Sequence, residues 1–134
     1  MSNEYKDYYE DLYCEFEDRV EALDFLPDGW VKSFVPKLKE ELFDIIGSYT
    51  ENFEIMQAKQ KWGELRVYWC WEDKDYSDLE SADMNKLYGQ IENILEKYTA
   101  ISRETCAVCG KLSTSYTTGL VLPVCEECKE EGKR

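Results

Sequence analysis

The sequence predicts an α+β fold, with helices packed on a small antiparallel hairpin and a cysteine-rich module closing the chain. Three observations carry this prediction. Apolar residues recur every three or four positions over three stretches, two aromatic and β-branched runs flank a glycine, and four of the six cysteines lie beyond residue 104. At 134 residues the chain holds about one domain, able to bury roughly two-thirds of its unfolded surface without disulfide staples. With 43% hydrophobic, 34% charged and 14% aromatic residues, the composition is that of a folded, strongly charged protein. The organisation expected is an acidic body over residues 1–104 and a module over residues 105–134 docked on it.

Residues 4–23 place Tyr5, Tyr8, Tyr9, Leu12, Phe16, Val20 and Leu23 at helical spacing and fill the other faces with acids. Pro27 and the Asp28-Gly29 pair then favour a turn. A second helix is expected from near Val31 to Ile46, burying Phe34, Val35, Leu38, Leu42, Ile45 and Ile46 and stopping at Gly47. Pro36 fits best in its first turn, with Ser33 or Val35 close to the start, because deeper inside it would remove a hydrogen bond and clash with the turn before it. Phe53–Lys59 and Leu65–Trp71 alternate on either side of Gly63 and read as an antiparallel hairpin. Leu65, Val67, Trp69 and Trp71 share one face and Arg66, Tyr68 and Cys70 the other, so the second strand reads as central. The acidic stretch Glu72–Asp83 contains the start of a third helix with Leu79, Leu87, Ile91, Ile94, Leu95, Tyr98 and Ile101 inward. Further on, Leu120–Val124 is a short β-like run.

Charge and composition exclude several classes of function. There are 29 acidic residues against 16 basic, a net charge of -13, which argues against sequence-independent binding to nucleic acid and in favour of a basic partner. The longest apolar run, Val67 to Trp71, falls far short of the ~20 residues that span a bilayer. The first residues lack the basic start and apolar stretch of a secretory signal, so the chain is expected in the cytoplasm. Histidine is absent. Triads built on His, His proton shuttles and His-containing metal sites are thereby ruled out.

Cys106-Ala107-Val108-Cys109 and Cys125-Glu126-Glu127-Cys128 are two CxxC pairs separated by 15 residues, the spacing of a four-cysteine zinc site. Each pair brings two thiolates together from one tight turn, and Gly110 permits the backbone twist such a knuckle needs. Redox-active dithiols and structural disulfides are the alternatives; the spacing and a reducing compartment favour the metal. Four Cys ligands leave no open position for water, so the expected zinc is structural. Cys14 and Cys70 remain, read as small buried apolar residues.

Two further surfaces are candidates for binding. Residues 1–28 carry ten acids and two bases, and residues 72–83 six acids and one base; together they equal the whole imbalance. Along a helix those ten acids would average about one charge per 4 Å, near the ~3.4 Å per charge of one DNA strand, so this face is able to mimic phosphates. Glu4, Asp7, Asp11, Glu15, Asp18, Glu72, Asp73, Asp75 and Asp78 are the residues expected to meet a partner; a solubilising face is the plainer alternative. The second candidate is the one basic, aromatic patch, Lys59, Lys61, Trp62, Arg66 and Tyr68, which would suit phosphates and stacked bases. Its plainer alternative is a hairpin with core aromatics and Lys and Arg lying over them. Asp73–Ser77 begins like a calcium loop but has Asp78 where Gly is required and Met84 where the bidentate Glu belongs. No pair of carboxylates stands out as an acid/base couple.

The stretch Lys59 to Tyr68, followed by Thr105, Cys106, Cys109, Gly110 and Lys111, resembles a group of small phage and prophage proteins. In that group a Lys-x-Lys-aromatic-Gly-x-Leu-Arg-x-Tyr hairpin precedes a terminal zinc knuckle, matched here by Lys59, Lys61, Trp62, Gly63, Leu65, Arg66, Tyr68 and the cysteine pairs. The resemblance covers the second half of the chain; the acidic first helix, and Cys128 at a position open to His, depart from it. Small acidic phage proteins resemble inhibitors of host nucleic-acid-binding machinery, defence complexes included. The expectation is therefore a non-catalytic, zinc-containing acidic protein that binds a basic host or phage protein and competes with its nucleic acid. The rivals are a zinc-ribbon accessory that binds nucleic acid through Lys59, Lys61 and Arg66, and an enzyme working through carboxylate-bound Mg²⁺.

Overall fold

The apolar spacing of the first half resolves into three helices, where two were expected, in the computed structural model, which describes residues 2–72, 81–117 and 121–131, with the backbone alone for 2–9, 48, 81–82 and 130–131. Helix α1 spans Ser2–Arg19, and the expected continuation to residue 23 is instead a 3₁₀ turn over Glu21–Phe25. Three residues per turn stack Val20, Leu23 and Leu26 above one another, and all three are buried. The helix expected from Val31 to Ile46 divides at Phe34 into α2, Asp28–Ser33, and α3, Val35–Ile46. Pro36 explains the break. It lies in the first turn of α3, where a missing N–H costs nothing, and a helix running through it would set its ring against the carbonyl of Lys32. Gly47, at φ 43, ends α3 as expected.

Strands β1, Phe53–Lys61, and β2, Glu64–Trp71, form the antiparallel hairpin. The register shifts between Ile55 and Gln57, so Met56 is the extra residue of a β-bulge. Phe53, Ile55 and Leu65 turn into the core, with Trp69 and Trp71 half-buried on the same face. Among the described residues the sheet has two strands, so β2 is not central, and on its other face Lys59, Arg66 and Tyr68 are exposed.

Helix α4, Ser81–Arg103, buries Leu87, Ile91, Leu95 and Tyr98 against the body. Ile101, expected inward, is exposed; the inward position at this end belongs to Ser102, whose hydroxyl accepts from the Leu65 N–H at 2.9 Å and donates to Thr99. Leu79 lies outside the described residues. The core is aromatic at its centre, with Phe16 5.2 Å from Phe43 and 6.5 Å from Phe53 between ring centroids. Among the described residues no helix is long and apolar enough to cross a membrane.

The remainder is a mixed, loop-rich segment. Two-residue strands β3, Ser115–Tyr116, and β4, Pro123–Val124, pair antiparallel, and α5, Glu126–Glu131, follows. Of the β-like run expected over Leu120–Val124, Val121 and Leu122 lie outside the strand and Leu120 outside the described residues. Backbone contacts join this segment to α2: the Trp30 indole donates to the Thr105 carbonyl at 2.9 Å, and the Gly29 N–H to Ala107 at 2.8 Å. The approach is so close that a Cβ on Gly29 would lie 2.1 Å from the Cys106 carbonyl oxygen.

Candidate metal centre

Cys106 and Cys109 sit on a tight turn closed by the Gly110 N–H donating to Cys106 (3.0 Å), and the Cys106 N–H in turn donates to Lys111 (2.7 Å). Gly110 takes φ 85, a conformation that side chains resist. The second pair is positioned by α5: Cys125 immediately precedes it and accepts from the Lys129 N–H, and Cys128, three residues on, lies on the same side of the first turn. The Ala107 N–H donates to Pro123 at 2.8 Å, tying the two turns together.

All four sulfurs therefore converge, each within 4.8 Å of the others, with Cys109 and Cys125 3.6 Å apart. A tetrahedral site with metal–sulfur arms of ~2.3 Å has edges of about 3.8 Å, so the separations fit one metal ion such as zinc. They are also far longer than the ~2.05 Å of a disulfide. Burial opposes ionisation of Cys106, but N–H groups of Cys109, Cys125 and Val108 and the Cys109 thiol stabilise its thiolate and bring its pKa down to about 6. Cys109 moves up: the Lys111 N–H favours its thiolate, yet burial and the sulfurs of Cys125 and Cys106 outweigh that bond. Cys128 is also pushed up, by burial and by the sulfurs around it. Cys106 is thus favoured to ionise first, while Cys109 and Cys128 resist.

The other site residues are scattered. Asp11 and Asp18 are exposed on α1 and Glu15 is half-buried there; Glu4 and Asp7 belong to α1, but their side chains lie outside the described residues. Glu72 is exposed, and Asp73, Asp75 and Asp78 lie outside the described residues. Lys59, Lys61, Trp62, Arg66 and Tyr68 gather on the hairpin, all exposed, so Trp62 and Tyr68 are not core aromatics. Cys14 is exposed and Cys70 half-buried, which corrects their reading as buried: Cys14 faces a groove between α1 and α3.

Sequence reasoning missed four contributors. Gly29 and Trp30 carry the cysteine segment on α2, and the only sequence cue was the Asp28-Gly29 pair, read as a turn. Arg103 and Tyr116 complete the surroundings of the hairpin tip, the Tyr116 hydroxyl donating to the Arg103 carbonyl. A separate groove of about 590 Å³ between α3 and α4 holds Glu41, Lys97 and Tyr98. Lys97 and the Tyr98 hydroxyl both donate to Glu41, holding its carboxyl below the usual range, while burial and that carboxylate raise the phenol of Tyr98. No family model, curated protein or solved structure matches this chain.

Proposed function

We propose that the chain is a non-catalytic binding protein, an acidic body whose cysteine segment is fixed by structural zinc and whose α1 surface engages a basic partner in competition with nucleic acid. The observation that carries this reading is a row of free carboxylates. Glu10, Asp11, Glu17, Asp18 and Glu21 are exposed and join no ion pair among the described residues, whose pairs use Asp24, Glu41, Glu64 and Glu127 instead. Charges not neutralised within the molecule project their field outward, where they steer and select a partner of opposite sign. Zinc suits a set of four thiolates and leaves them no open position, so its role is to hold the segment folded. The resemblance to phage proteins supports a host nucleic-acid-binding or defence complex as the partner, met in the cytoplasm.

The test is capture of partners from host cells by the full chain and by an Asp11→Lys, Asp18→Lys, Glu21→Lys variant of matched thermal midpoint. The expected result is a nucleic-acid-binding protein held by the first, released by raised salt and by competing nucleic acid, and lost by the second. Equal retention by both chains would overturn the reading.

A further inference from the structure

The tip of the hairpin is built against its own turn chemistry. A two-residue type I′ turn holds both central residues at positive φ, where Asn, Asp and Gly are favoured and a bulky side chain is an outlier. Here the two residues are Trp62, at φ 57, and Gly63, at φ 81. The ring gains little burial in exchange, since Trp62 is 71% exposed. Two more features of the same hairpin work against stability. Lys59 stands directly opposite Arg66 in the register, a like-charge pair that a sheet disfavours. Tyr68 and Met56 are exposed as well, at 51% and 62%. Outliers that stability does not explain point to use.

The chemistry of the face is specific. Arg66 and Arg103 each lie 2.8 Å from the Glu64 carboxylate and more than cancel it. Lys59 and Lys61 join no ion pair among the described residues, and the Lys59 ammonium lies 5.8 Å from the centroid of the Tyr68 ring. Alternate residues on a strand are about 6.8 Å apart, so Lys59 and Lys61 can reach separate phosphates of an extended strand while the exposed rings of Trp62 and Tyr68 stay open to its bases. The tip is also braced: the Tyr116 ring comes so near Gly63 that a Cβ there would lie 2.9 Å from it. The cysteine segment therefore supports the surface.

We propose that this face binds single-stranded nucleic acid, with Trp62 and Tyr68 stacking on bases and Lys59, Lys61 and Arg66 meeting phosphates. The net charge of the chain does not forbid it, because at about 0.1 M salt fields decay over ~10 Å and the nearest cations govern contact. The proposal is independent of the acidic-face reading, since α1 supplies none of these residues.

The test is fluorescence anisotropy of a labelled oligo-dT strand titrated with the full chain at about 0.1 M salt, alongside thermal melting. Binding is expected to weaken with salt at a log–log slope of about -2, as for three neutralised phosphates on a single strand. Trp62→Asn is the decisive variant. It installs the preferred Asn-Gly turn, so the thermal midpoint should hold or rise while affinity falls at least tenfold; Lys59→Glu with Lys61→Glu should show the same loss. Asp11→Lys with Asp18→Lys should keep or raise affinity for the strand, so this site and the α1 surface fail separately. The proposal is overturned if the chain ignores oligo-dT, if it binds duplex equally well, if an oligo-glutamate peptide binds where the strand does not, or if Trp62→Asn lowers the melting temperature and leaves affinity unchanged.

Discussion

The helical body and the cysteine segment solve the same problem, ordering a chain against its entropy, with different resources. The body closes over eighteen buried apolar side chains contributed by α1–α4, the hairpin and the 3₁₀ turn after α1. The segment has three buried members in its cluster, Cys106, Val124 and Cys125, and two of those are candidate ligands. At roughly 1.5–3 kcal/mol per large apolar side chain, burial stabilises the body several times more than it stabilises the segment. A metal held by the four cysteines would supply what burial does not, and the contacts through Gly29 and Trp30 join the segment to the body.

The sharpest way to break this comparison is to remove the metal. Metal binding in small tetrathiolate peptides contributes on the order of 10–16 kcal/mol, so chelation should abolish amide protection over 105–131 and leave most helical circular dichroism in place. Loss of both together would mean that the two regions share one source of stability. Next in size is Phe16→Ala, expected to cost the body about 3–5 kcal/mol in a denaturant melt while metal stoichiometry stays at one per chain. Smaller again is Gly29→Ala, whose Cβ would press on the Cys106 carbonyl and separate the two regions at about 1–3 kcal/mol. Hydrogen exchange should then rise at Thr105–Ala107 before it rises in α1. The smallest is Glu41→Gln. The Glu41 pKa is lowered by hydrogen bonds from Lys97 and Tyr98, so its contribution is complete above the unfolded value and is lost as pH falls below 4.5 toward the folded value. For so exposed a pair this is under about 1 kcal/mol, and the gap between the melting curves of wild type and variant should narrow in acid.

Legibility followed the range of the interaction. Val20, Leu38, Leu42, Ile91 and Leu95 are buried where three- and four-residue spacing placed them, because that periodicity is written locally. The hairpin and each CxxC turn were legible for the same reason, being set by a few residues, and the spacing of the two pairs pointed to their convergence. The 3₁₀ turn and the break at Phe34 shift helix ends by a few residues, where tertiary packing outweighs propensity. What escaped was non-local or depended on what is missing. The indole of Trp30 meets Thr105 across 75 residues, and no pattern within either segment announces it. Alternation along β2 is equally compatible with one neighbouring strand or two, so its edge position became visible only from the sheet order. Trp62 reads as a core aromatic until its backbone angle is known.

The seam between Gly29 and Gly110 brings main chain against main chain: the Gly29 oxygen would lie 2.7 Å from any Cβ on Gly110. Such a joint has no rotamers through which to adapt, so a substituent at either glycine is accepted only by moving one backbone away from the other.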